Sequence, residues 1–149
     1  MSSEIIAATL EYPVLVTQRQ SPKVLVVDTD HHVVDYLRYF LGEAGYLTAY
    51  AAPGHDALTA AWRTKARLVI AEILTPGLDG FSLCRKLKHR TDGRGVRVIL
   101  LSALAARERA FEAGADAFLM KPISESHLLR TVRGVLDPVH PVLRAPAGC

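Results

Sequence analysis

The chain has 149 residues, half of them apolar and 22% charged, with 18 Lys and Arg against 15 Asp and Glu. That length suits one domain with a real core and is tight for two, and a net charge of +3 is too small to argue for a nucleic-acid partner. The two cysteines, Cys84 and Cys149, have neither CxxC spacing nor metal-ligand companions, which suits free thiols in a reducing compartment.

The N-terminus lacks the basic start and long apolar stretch of a signal peptide, its first basic residue being Arg19. No run reaches the length of a membrane span, so the expectation is a cytoplasmic protein without a membrane partner. Residues 1–22 precede the first regular pattern; within them Tyr12–Val16 has the composition to pair at a sheet edge.

Apolar runs at Val24–Val27, Leu68–Ala71, Val96–Leu101 and Ala117–Met120 predict strands, with a weaker one at Leu47–Tyr50. Three of them are rich in Val, Ile and Leu without polar alternation, as expected of parallel strands covered on both faces. Helical spacing fills the gaps. Val33, Leu37, Phe40, Leu41 and Ala44 share one face, with Asp30 placed to cap that helix and Gly45 to end it. Ala57, Leu58, Ala61 and Trp62 mark a second helix. Phe81, Cys84 and Leu87 mark a third, capped by Asp79. Ala106 to Ala113 marks a fourth, ended by Gly114, and Leu128, Leu129, Val132 and Leu136 mark a fifth. Five βα units in succession predict an α/β fold, an open parallel sheet with helices on both faces. Beyond Leu136 the segment Asp137–Cys149 holds three prolines and a glycine and reads as a tail or the stub of a linker.

In such sheets, function collects where strands end at their C-terminal side. Here those ends carry Asp28-Thr29-Asp30, Glu72, Ser102-Ala103 and Lys121-Pro122. Two or three carboxylates, a hydroxyl and a lysine would therefore meet in one cleft. Clustered carboxylates hold hard divalent cations such as magnesium. A carboxylate can attack a phosphoryl group, while a metal, a lysine and a hydroxyl offset charge on its oxygens.

The motifs "KVLVVDTD", "LVIAEILTPGLDGF", "VILLSA", "EAGADAF" and "KP", in this order across Lys23 to Leu136, resemble the receiver domain of bacterial response regulators. The resemblance covers 114 of the 149 residues. It implies a flavodoxin-like doubly wound sheet of strand order 2-1-3-4-5, with residues 1–22 as an N-terminal extension and 137–149 as a tail. It implies Glu72 at the place of the phosphoacceptor aspartate, Ser102 and Phe118 as switch hydroxyl and switch aromatic, and Lys121 as the cleft lysine. It further implies Asp28, Asp30 and Glu72 as what remains of a magnesium site.

The chain departs from the family at two cleft positions. Glu72 replaces the aspartate, and Thr29 replaces the second of two adjacent acids that bind the metal. The loop between Ser102 and Gly114 is also shorter than is usual in the family. Glutamate reaches about 1.5 Å further than aspartate, and a misplacement of about 1 Å can cost on the order of a hundredfold in a transfer reaction. The expectation is a weak or lost magnesium site, no other cofactor and no enzymatic activity. The longer carboxylate would reach Lys121 or Ser102, either imitating the phosphorylated state or freezing one conformation.

The functional expectation is an atypical stand-alone receiver that signals by protein–protein contact without phosphorylation. Its partner, or a second copy of itself, would meet the face of the fourth helix, fifth strand and fifth helix, Ala105 to Leu136. The alternative is a working phosphotransfer receiver that uses magnesium and a histidine kinase. A nucleotide or flavin enzyme has no support, because no glycine-rich phosphate loop follows Val27.

Three further features have plainer readings. His31 and His32 beside Asp28 and Asp30 suggest a transition-metal site, but neighbours i and i+1 point to different sides of a helix. The basic stretch "RKLKHRTDGRGVR", Arg85 to Arg97, reads as a solvated helix end, since it lacks interleaved aromatics for stacking on bases. Cys84 reads as a small core residue.

Overall fold

The computed structural model describes residues 21–89 and 95–137. The suggested edge segment Tyr12–Val16, residues 90–94 of the basic stretch and the tail beyond Asp137 lie outside the described residues. The elements alternate in chain order: β1 Lys23–Val27, α1 His31–Glu43, β2 Leu47–Ala51, α2 His55–Thr64, β3 Leu68–Glu72, α3 Gly80–Lys88, β4 Arg97–Ser102, α4 Arg107–Glu112, β5 Ala117–Met120 and α5 Glu125–Leu136. All five strands are parallel and lie in the order β2-β1-β3-β4-β5, as the resemblance implied.

The unbroken apolar runs have the expected cause. Alternate residues of each inner strand face opposite helical layers. Val24 and Val26 pack with Leu37 and Leu41 of α1 and with Leu128 and Val132 of α5. Leu25 and Val27 pack on the other face with Ala57 and Ala61 of α2 and with Leu83, Cys84 and Leu87 of α3. The central strand β3 is buried along its whole length. Phe118 of β5 is buried in the layer that contains Ala110 and Ala113. Trp62 packs partly buried against this same layer.

Helix ends follow their capping residues. The Asp30 carboxylate accepts from the His32 amide, the Asp79 carboxylate from the Ser82 amide at 2.8 Å, and the Ser124 hydroxyl from the His127 amide at 3.1 Å. Helix α1 closes through Gly45, whose φ of +98° suits glycine, with the Tyr46 amide donating back to Leu41 O. β1 gains Lys23, β2 gains Ala51 and β3 gains Glu72 over the expected runs, and two further elements shift for visible reasons. β4 runs one residue later than its apolar run suggests, because the ladder with β3 pairs Arg97 with Leu68 and continues to Leu101 opposite Glu72. Helix α4 is only Arg107–Glu112, has no side-chain cap, and is the short element that the trimmed loop leaves.

Register places the strand ends together. Val27 lies beside Ala71, Glu72 beside Leu101, and Ser102 beside Met120. The residues following β1, β3, β4 and β5 therefore open on one cleft.

Candidate functional site

Asp28 follows β1 and is 1% exposed, Glu72 ends β3 at 6%, and Ser102 ends β4 fully buried; these are the buried polar or charged side chains among the described residues. Into this set comes Lys121 from the end of β5. Its Nζ lies 2.6 Å from Glu72 Oε1 and 3.0 Å from Asp28 Oδ2. The Lys121–Pro122 peptide bond is cis. One ammonium thus bridges two nearly buried carboxylates across strands 1, 3 and 5.

The other carboxylate oxygens are held by backbone. The Asp30 amide donates to Asp28 Oδ1 at 2.9 Å, and the Leu74 amide donates to Glu72 Oε2 at 2.9 Å. The Ser102 hydroxyl is tied the same way, accepting the Leu104 amide at 3.2 Å. Each strand-end side chain therefore fixes the first turn of its own loop, and among the described residues no buried side-chain nitrogen or oxygen lacks a partner. Burial pulls the Lys121 ammonium toward losing its proton. Hydrogen bonds to Glu72 and then Asp28 outweigh that, and the net shift is upward from 10.5.

The structure brings Asp28, Glu72 and Lys121 into direct contact and sets Ser102 on the adjacent strand end. Asp30 is not part of this contact. Its carboxylate turns to the His32 amide, and that hydrogen bond holds its acid below the usual carboxylate range. His32 projects fully into solvent, and His31 lies against Tyr50 with ring centroids 6.2 Å apart. Cys84 is buried in the core, where burial pushes its thiol up to about 11. At neutral pH it is a thiol rather than a reactive thiolate.

Two features had no signal in the sequence. Tyr36 on α1 donates its hydroxyl to Ile123 O at 2.7 Å, tying the first helix to the loop after β5. Asp116 gathers Lys88 Nζ at 2.6 Å, Arg97 at 3.5 Å and the Val98 amide at 2.8 Å. Two cations of the basic stretch are thereby used inside the fold. Both contacts span many residues, and a helical or strand period does not report them.

A family model, the response regulator receiver domain, matches residues 24–133. The heme response regulator HssR of Staphylococcus haemolyticus is 32% identical over 114 residues, covering 76% of this chain and 51% of that protein. The response regulator PleD of Caulobacter vibrioides is 36% identical over 118 residues, covering 77% of this chain and 26% of that protein. A putative response regulator structure from Chloroflexus aurantiacus superposes with a TM-score of 0.74 at 30% identity, covering 78% of this chain and 98% of that one. The receiver domain of the sensor histidine kinase PA1611 from Pseudomonas aeruginosa, solved with magnesium coordinated in its active-site cleft, superposes at 0.70 with 27% identity, covering 78% and 98%. The sheet is that of a two-component signalling receiver: the chain belongs to the response regulator receiver domain family. It spans about half the length of the first curated relatives it matches.

The family implies a divalent cation in this cleft, and the side chains here do not suit one. Magnesium demands an octahedron of oxygens. Asp28 and Glu72 supply two carboxylates, all four of whose oxygens already have partners. Thr29 contributes no charge, and Asp30 faces the α1 amides. Among the described residues no group of three or more His, Cys, Asp or Glu is arranged to hold a metal ion.

Proposed function

We propose that this receiver is atypical: it signals through protein–protein contact without a phosphorylation cycle. The observation that carries this reading is the Lys121 bridge, 2.6 Å to Glu72 and 3.0 Å to Asp28. The carboxylate at the phosphoacceptor place has one oxygen on the ammonium and the other on the Leu74 amide. A nucleophile so engaged must loosen its contact with the ammonium before in-line attack, and its extra methylene displaces it further. On this reading Asp28 and Glu72 are the remnant of the magnesium site, Asp30 has become a helix cap, and metal binding is weak or lost. Ser102 and Phe118 keep the switch positions without a phosphoryl group to report.

The partner face in this reading is α4, β5 and α5, residues 105–136, engaged by another protein or by a second copy. Supporting it are exposed apolar groups there, Phe111 at 41% and Met120 at 46%. Arg107 lies 5.1 Å above the Phe111 ring, and Arg, Phe and Met are residue types enriched at interfaces. The protein is read as cytoplasmic and as a signalling module rather than an enzyme; no helix among the described residues is long and apolar enough to cross a membrane.

The test is intact mass after incubation with acetyl phosphate and magnesium, for the wild type beside the double variant Glu72→Asp, Thr29→Asp. The expected result is an added phosphoryl group on the double variant alone. A phosphoryl group on the wild type overturns the reading and installs the phosphotransfer alternative, with a histidine kinase as donor.

A further inference from the structure

We infer that Lys121 is the resident cation of the cleft, so that this receiver folds and holds its strand ends together without divalent metal, and that metal and Lys121 compete for one place. The inference rests on the reading of the cleft given above and names the ion that governs it.

The cleft contains two carboxylates that are almost fully buried. Two such charges side by side in a low-dielectric setting repel and must be neutralised by protonation, metal or an organic cation. The ammonium performs that role from between them, at 2.6 and 3.0 Å, with its side chain 20% exposed. The remaining two oxygens accept backbone amides. Asp28, Glu72 and Lys121 together leave a single net negative charge. A divalent ion entering this set must displace the ammonium from both acids. It would then find no third carboxylate, since Asp30 is committed to α1 and Thr29 is neutral.

The competition has a consequence that a merely weak metal site does not. Removing the ammonium leaves one oxygen of each carboxylate without its partner in an otherwise intact pocket, with a charge of minus two. That uncompensated charge and the two freed oxygens can hold a hard cation that keeps water as its remaining ligands. Lys121→Met keeps the apolar stem and deletes the charge, so it should convert a metal-indifferent protein into a metal-responsive one.

The experiment is thermal unfolding of the full chain, wild type and Lys121→Met, in EDTA and in millimolar magnesium chloride, repeated with manganese chloride. Binding to the native state alone raises the midpoint by mass action. The expected result is a wild-type midpoint that moves by less than about 1 °C between EDTA and magnesium. The variant should melt lower in EDTA and recover several degrees in either metal. A wild-type midpoint that climbs with magnesium overturns the inference, as does a folded variant that melts low and is indifferent to both metals. Should Lys121→Met fail to fold, the wild-type measurement and manganese binding by its paramagnetic signal decide the matter alone: manganese bound by the wild type refutes it, and none bound upholds it. Phosphoryl uptake by a wild type that ignores magnesium in the melt would sink the functional reading and leave this one standing.

Discussion

Glu72 and Lys121 carry the account at the scale of single residues. Glu72 ends a strand with no exposed residue, so its carboxylate is placed by the sheet rather than by its own flexibility. Lys121 answers it from the other side of the cleft. Because its pKa is raised, the sign of the pH dependence is fixed. A group whose folded value lies above its unfolded one stabilises fully below the unfolded value and loses that contribution as pH rises through the folded one. The stability difference between wild type and Lys121→Met should therefore stay constant from neutral pH to about the free lysine value of 10.5, and narrow only above it. Urea midpoints across that range check this, and a difference that closes well below 10.5 would show that the bridge is not formed as described. The sequence made Glu72, Asp28 and Lys121 legible because each follows a buried apolar run. It gave no sign of the Leu74 and Leu104 amides that hold Glu72 and Ser102, because those depend on how each loop turns after its strand.

Among the elements, α3 packs closely on the end of β3 at the floor of the cleft. The Gly80 amide donates to Ile73 O at 3.0 Å, and Gly77 takes a φ of +76° in the turn between them. A Cβ on Gly80 would meet Glu72 O at 2.6 Å and Ile73 Cα at 2.7 Å, both backbone atoms that cannot swing aside. Gly80→Ala should destabilise the fold by about 1–3 kcal/mol, as overpacking does. Chemical denaturation reads that loss, and an unchanged midpoint would mean that α3 sits further from the strand than described. The strands and helices themselves were legible in outline, since burial on both faces produces the apolar runs. Their ends were not. Where β4 starts is decided by pairing with β3, and α4 is short because too few residues separate Ser102 from Gly114. The cap residues Asp30, Asp79 and Ser124 act locally; the first two were legible from position alone.

Across the whole molecule, the βα alternation announced a parallel sheet, but the strand order 2-1-3-4-5 followed from the resemblance and not from periodicity. The order matters because it places β1 and β3 side by side, with β4 and β5 beyond them, so that acids from the first two and the lysine of the last meet. It also joins the cleft to the proposed partner face, since Lys121 directly follows β5 and α5 begins four residues later. In a phosphorylation-driven receiver, the face answers to what occupies the cleft. On the proposed reading Lys121 holds the acids of the cleft, and the face should be indifferent to phosphoryl chemistry. The most direct test uses beryllofluoride, a phosphoryl mimic, with magnesium, and reads backbone amide resonances of the full chain. Resonances of residues 105–136 should stay where they are in the wild type. Displacement of those resonances in the wild type would contradict the proposed reading, by showing that the cleft still accepts a phosphoryl-like group and passes the signal on.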